Sequence, residues 1–481
     1  ESPVWASMLG DRRYNDQWPD RSLDGIAESH AADKRLLKKL RKIKRAALSP
    51  EDQLNYDLFK REYEERVDAH RFRDFLMPLN QRGGIQTAHQ VAERLRFATA
   101  KDFEDWIARL EAFGGYMDQT IALMEQGVAE GRVQPKIVMG RVPRQIARQH
   151  VEAPEQSPFY EPFGDMPDAI PAETQERLVA AARSAIDSMV LPAFRRFDTF
   201  FNDEYLPACR DDVGAWSLPE GEDFYAHRVA AYTTTELTAD EIHDIGQREV
   251  ARIRAEMMGI IDSVGFEGSF EDFLQFLRTD PQYYYDDPDE LLEAYRATSK
   301  RIDPELVNLF GKLPRMPYGV KPIPMDIAPD TTTAYYSRPA ADGSRAGIYW
   351  VNLYKPETRP KYEIEVLSVH EAMPGHHLQL ALAQELGALP NFRRYGGFTA
   401  FVEGWGLYSE SLGEDLGLYR DPYSKFGQLT YEMWRAVRLV VDTGMHHKKW
   451  TRDQAIEFFK ANAAKTEHDI VNEIDRYIAW P

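Results

Sequence analysis

The sequence predicts a mainly α-helical fold, with two mostly helical lobes and a small sheet between them. Three observations lead there. Leu36, Leu40, Ile43 and Ala47 recur at helical spacing, with basic residues filling the other face. Helix-start signals recur along the whole chain. A strand signal stands out only once, between residues 331 and 353. The chain has 481 residues, 43% hydrophobic and 12% aromatic, which is enough for a deep core and a buried cleft.

The first helical segment carries Lys34, Arg35, Lys38, Lys39, Arg41, Lys42, Lys44 and Arg45 opposite its apolar residues. It reads as a solvated face beside an acidic body, more than as a helix for a membrane surface or an acidic partner. Ser49-Pro50-Glu51-Asp52 sets a cap residue, a first-turn proline and two acids in order. Thr238 to Glu241 and Thr451 to Gln454 have capping-box spacing, and Asp287-Pro288 is another cap-plus-proline start. Prolines from Pro154 to Pro171 predict a long surface loop, and those from Pro314 to Pro329 a second break. After that break come Thr331–Tyr336, Asp342-Gly343 and Ile348–Leu353, two β-rich runs around a glycine-containing turn, hence a hairpin. The expected division is a helical region over 1–312 and a catalytic region over 313–481, in one continuous fold around a cleft.

Composition excludes several classes. Lys plus Arg number 59 against 78 Asp plus Glu, a formal net charge of −19, which opposes a nucleic-acid or anionic-membrane partner. No apolar run approaches the ~18 residues of a transmembrane segment. Cys209 is the single cysteine, so an intrachain disulfide and a cysteine-built zinc site are both excluded; it reads as a small core residue. The start at Glu1, without methionine, suits a processed, exported precursor or a trimmed chain.

The chemistry concentrates after the hairpin. His370-Glu371-Ala-Met-Pro374-Gly375-His376-His377 places three of the 12 histidines within eight residues. His-Glu opens the zinc-protease helix motif, whose second histidine stands four residues after the first. Here that position is Pro374. In an unbroken helix His376 and His377 would lie about 9 Å and 10.5 Å along the axis from His370, too far for one metal. Pro374 clashes with the His370 carbonyl and removes a hydrogen bond. Gly375 permits unusual backbone angles. A kink there absorbs the extra residues and brings His376 into the second-ligand position, with His377 as the alternative ligand. Glu403, in Phe401-Val-Glu403-Gly-Trp405-Gly-Leu-Tyr408-Ser-Glu410, supplies a third ligand from the following helix and leaves a fourth zinc position open. Glu410 lies near the same helix face and can orient a ligand histidine.

His-Glu-x-x-Pro-Gly-His-His-x-Gln379 followed by Glu-Gly-Trp-x-Leu-Tyr-x-Glu resembles the bacterial domain-of-unknown-function-885 family of lipoproteins. Asp342-Gly-Ser-Arg345 and Val441-Asp442-Thr-Gly444-x-His446 belong to the same resemblance, which runs from Leu9-Gly10-Asp11 to Tyr477. That family is distantly similar to helical zinc peptidases such as carboxypeptidase Taq and angiotensin-converting enzyme. The resemblance implies a large zincin-like helical fold with the hairpin beside the active-site helix. It implies His370, His376 and Glu403 as zinc ligands, one Zn2+ per chain, and Glu371 as general base. Members usually continue past Arg476-Tyr477 into a further helical tail, whereas this sequence ends at Pro481.

The expected reaction is zinc-assisted hydrolysis of a peptide or small amide, with Glu371 moving the proton. Tyr408, Tyr477, His446 and Arg476 are candidates for stabilising the oxyanion. Ile348–Leu353 could pair with an extended peptide, and Tyr335, Tyr336 and Arg345 could line side-chain pockets, although strand packing and a turn account for them as well. His446-His447 reads as a helix-end pair. Two rivals remain: a non-catalytic envelope binding protein on a peptidase scaffold, and a non-haem iron oxygenase, whose facial triad has the same ligand types. The expected location is periplasmic or envelope-associated, otherwise cytoplasmic.

Overall fold

The structure, a computed structural model, describes residues 2–325 and 327–481. The chain divides into two compact units, one running to Asp212 and including Ala340–Arg345, the other comprising Val213–Pro339 and Ala346–Pro481.

The longer helices of the first unit are α1 (Leu23–Leu40), α2 (Pro50–Ala69), α3 (Ala100–Glu130), α4 (Ala172–Ala185) and α5 (Leu191–Phe200), joined by shorter helices and turns. Ser49 caps α2 as its sequence predicts, its Oγ accepting from the Asp52 amide at 3.1 Å. The apolar stripe expected to reach Ala47 stops sooner. α1 ends at Leu40, Leu37 is its buried apolar residue, and Ile43 is 46% exposed. Past that end Arg41 pairs with Glu64 and Arg45 with Asp57 on α2, while Lys38 and Lys39 meet the negative end of α1. On α3, Trp106 and Phe113 meet Phe159 and the α5 residue Phe194 in an aromatic core, with Phe113 and Phe159 5.0 Å apart. Phe159 comes from the proline-rich segment, whose short 3-10 turns bury Phe159 and Phe163 instead of leaving a plain surface loop. Cys209 is buried, and burial pushes its thiol up to about 12, so it is an inert core residue.

The second unit holds α6 (Gly221–Thr233), α7 (Ala239–Ser263), α8 (Pro288–Ile302), β1 (Tyr318–Pro322), β2 (Ala334–Ser337) and β3 (Gly347–Val351). Then follow α9 (Ile364–Glu371), α10 (His376–Glu385), α11 (Thr399–Ser411), α12 (Pro422–His446), α13 (Arg452–Lys460) and α14 (Glu467–Ala479). Thr238, Asp287 and Thr451 cap α7, α8 and α13 as their spacing predicts. α7 packs along α12, and α9 lies against α8, α11 and α12. A buried ion pair fixes the entry to α9: Lys465 Nζ donates to Glu363 Oε2 at 2.5 Å, and Arg359 pairs with Asp469 beside it.

The hairpin is present as β2 and β3, antiparallel, with Tyr336 opposite Tyr349. Two expectations need correction. The proline-rich break contains β1, parallel to β3, with Pro322 at its end, where an edge strand tolerates a missing amide. The order β1-β3-β2 therefore places the run from Ile348 in the middle of the sheet, paired on both sides, so it has no free edge for an extended peptide. The free edges belong to β1 and β2. Among the described residues no helix is long and apolar enough to cross a membrane.

Candidate metal centre

α9 ends at Glu371, and α10 begins at His376. Between them Ala372 and Gly375 take non-helical angles, with ψ −104° and −126°. The Gly375 amide reaches back to the Val369 carbonyl at 2.9 Å, and the His377 amide to the Ala372 carbonyl at 3.0 Å. A Cβ at position 375 would stand 1.9 Å from the His370 carbonyl oxygen, so only glycine closes this turn. Trp405 on α11 donates its indole N–H to the Pro374 carbonyl at 2.9 Å, tying the break to the next helix.

The break brings His370, His376 and Glu403 together, one donor atom from each lying within 4.8 Å of the others. The Glu403 carboxylate stands between the imidazoles, 3.8 Å from His370 Nε2 and 3.7 Å from His376 Nε2. These separations exceed a hydrogen bond. They come close to the roughly 3.4 Å that separates two donors around one tetrahedral ion with bonds of about 2.1 Å. Burial pushes both imidazoles down to about 3, His370 with help from Arg435 and His376 with help from His370, so both are neutral at pH 7, the form that ligates. Burial works against the charge on Glu403, but His376, His370, Arg435 and Arg438 outweigh it, and its carboxyl titrates below the ordinary value. His376 Nδ1 is buried without a hydrogen-bond partner among the described residues. Two neutral imidazoles and a carboxylate, none bonded to another, fit a divalent cation. Both histidines are buried and the Glu403 side chain is 47% exposed, which leaves the group reachable from solvent.

His370 is positioned from two sides. Its Nδ1–H donates to Glu410 Oε1 at 2.7 Å, which leaves the Nε2 lone pair facing Glu403. Glu410 is fully buried, and burial pushes its carboxyl up to about 8. Gly406 lies under the imidazole: a Cβ there would be 2.6 Å from Cε1 and 2.9 Å from Nε2. Gly406→Ala should therefore tilt the ring and lower zinc affinity about 10- to 100-fold, read by competition with a chromogenic chelator. An unchanged affinity would show that His370 needs no such seat.

Glu371 is buried, and its carboxylate accepts from the Tyr336 backbone amide. Burial, then the charge of Glu403, pushes it up to about 8. His377 lies apart from this group: its Nε2–H donates to the Met316 carbonyl at 3.0 Å and its Nδ1 accepts from Tyr336 Oη at 2.8 Å. Both ring nitrogens are engaged in holding α10 to the sheet, so the alternative ligand has no lone pair to offer.

The other expected site residues are distributed as follows. Tyr408 is exposed beside Trp405. His446 accepts from the Ala215 amide at 2.9 Å through Nδ1 and donates to the Tyr477 carbonyl at 3.0 Å through Nε2, a structural tie and not an oxyanion donor. Arg345 belongs to the first unit, where it donates to the Met8 carbonyl. Arg476 pairs with Glu473, and Tyr477 Oη accepts from Trp434 and Arg438. Two residues not foreseen stand here as well. Arg435 Nη2 is 3.5 Å from His370 Nε2 and 3.8 Å from Glu410, and Arg438 lies one turn further along α12. The available signal was Trp434-Arg435-Ala-Val-Arg438, two arginines three residues apart inside a long, mostly buried helix.

No curated protein matches the chain. Several solved structures resemble it, among them two bacterial ones. One, a "putative lipoprotein from Colwellia psychrerythraea", is 28% identical with a TM-score of 0.89, over 99% of this chain and 86% of that one. The other, "a putative lipoprotein of unknown function from Shewanella oneidensis", is 17% identical with a TM-score of 0.65, over 99% and 86%, and supports the fold alone. The family model described as "Bacterial protein of unknown function (DUF885)" matches residues 3–481, and the chain belongs to that family.

Proposed function

We propose that this protein is a zincin-like, zinc-dependent hydrolase of peptide bonds that acts on short peptides in the bacterial envelope. One observation carries the reading: two neutral imidazoles and a carboxylate converge beside a buried glutamate that is not part of their group. His370, His376 and Glu403 would hold the ion. When bound, zinc supplies a Lewis acid that polarises a carbonyl and makes water more acidic. Glu371 takes a proton from the attacking water and hands it to the leaving amine nitrogen. Its value near 8 belongs to the metal-free chain, and a dication beside it favours the charged carboxylate that the base needs. Glu410 keeps His370 in the tautomer that presents Nε2.

The lipoprotein description of the 28%-identical structure supports the envelope location. The oxygenase reading is disfavoured, since those sites usually sit on β-barrels and the sheet here has three strands among the described residues. The test is a mixed short-peptide library incubated with zinc-loaded protein and read by mass spectrometry. Cleavage that a chelator abolishes and zinc restores is the expected result. Full zinc occupancy without cleavage would instead assign a binding protein built on this scaffold.

A further inference from the structure

Three guanidiniums gather beside the candidate metal centre, in a chain whose net charge is −19. Arg435 and Arg438 lie one turn apart on α12 and flank the Trp434 ring at 5.0 and 5.7 Å. Arg438 and Arg476 lie over the Tyr477 ring at 5.1 and 4.8 Å. These cations share two carboxylates, Glu473 and Glu410, and Glu410 is hydrogen-bonded to His370. Two donors are left over. Arg435 Nη1 is buried without a hydrogen-bond partner among the described residues. Tyr477 Oη accepts from Trp434 Nε1 at 2.7 Å and from Arg438 Nε at 3.0 Å, so both of its lone pairs are used while its own proton has no acceptor among the described residues. A buried guanidinium N–H without a partner is costly, and a planar anion relieves that cost with charge-assisted bonds.

We propose that Arg435, Arg438 and Tyr477 form a subsite for the free C-terminal carboxylate of a peptide, so that the bond presented to the metal centre lies close to the peptide's C-terminus. Arg435 sets the spacing, since its guanidinium is 3.5 Å from His370 Nε2. A carboxylate held there belongs to the residue or dipeptide that leaves, which makes the protein a carboxypeptidase-type exopeptidase and not an endopeptidase. This inference rests on the hydrolase reading for its chemistry but not for its binding step.

The experiment separates the two. N-acetyl dipeptides are titrated as free acids and as C-terminal amides into zinc-loaded Glu371→Gln protein by calorimetry, and the same pairs are assayed for turnover with wild type. The acid should bind about 10- to 100-fold tighter than the amide. Arg438→Met should erase that preference with zinc content unchanged, since Arg438 is partly exposed and Arg476 still pairs with Glu473. Arg435→Met should erase it too. Equal binding of acid and amide, or a preference that survives Arg438→Met, overturns the inference even where peptides are cleaved. A fall in turnover that is equal for acid and amide assigns these residues to the oxyanion and also overturns it. A preserved, arginine-dependent acid preference without any cleavage upholds the subsite while the hydrolase reading falls.

Discussion

Replacing His376 by alanine should abolish metal binding, whereas replacing His377 should leave it intact. In a chelator-competition titration the His376→Ala protein should lose more than about 100-fold in zinc affinity, since even residues that merely orient a ligand are worth 10- to 100-fold. His377→Ala should stay close to wild type. The reason is geometric. His376 Nε2 is 3.7 Å from Glu403 Oε1, beyond hydrogen-bond reach, while both nitrogens of His377 are bonded to Tyr336 and Met316. The His377 variant should show a lower melting temperature, because those bonds join α10 to the sheet. Zinc lost from both variants, or from His377→Ala alone, would contradict this assignment.

Glu371→Gln separates chemistry from binding. Glutamine has the size of glutamate but cannot take a proton from water at neutral pH, so turnover should fall about 10²- to 10⁴-fold. Zinc content should be unchanged, because Glu371 lies outside the ligand group. A second readout needs no substrate. Burial holds Glu371 near 8, so at pH 7 the metal-free chain carries it mostly protonated. Zinc favours the carboxylate, so zinc binding at pH 7 should release a proton fraction that shrinks in Glu371→Gln. Calorimetry in buffers of different ionisation enthalpy measures that fraction. An equal proton release from both proteins would remove Glu371 from the neighbourhood of the ion.

Much of this was readable in the chain because it is local. Ser49, Thr238, Asp287 and Thr451 announce helix starts through their own side chains, and each caps the expected helix. Pro374-Gly375 announces a break because one ring and one missing Cβ dictate it. What escaped was non-local. The Lys34–Arg45 run keeps helical periodicity past Leu40, but the helix ends there, and Arg41 and Arg45 pair with Glu64 and Asp57, which come later in the sequence. Tyr318–Pro322 reads as a proline-rich loop because its strand depends on a parallel partner that comes later in sequence. Nothing local in Trp434–Arg438 tells what Arg435 and Arg438 face. Only the placement of α9 and α14 beside α12 shows that they face His370, Glu473 and Tyr477.

His370, His376 and Glu403 should act as one metal site. The direct measurement is zinc per chain by elemental mass spectrometry, on wild-type protein reloaded with zinc and freed of excess by gel filtration, beside Glu403→Ala treated identically. About one zinc per wild-type chain and almost none in Glu403→Ala is the predicted result. A wild-type protein that retains no zinc, or a Glu403→Ala protein that retains as much, would contradict it.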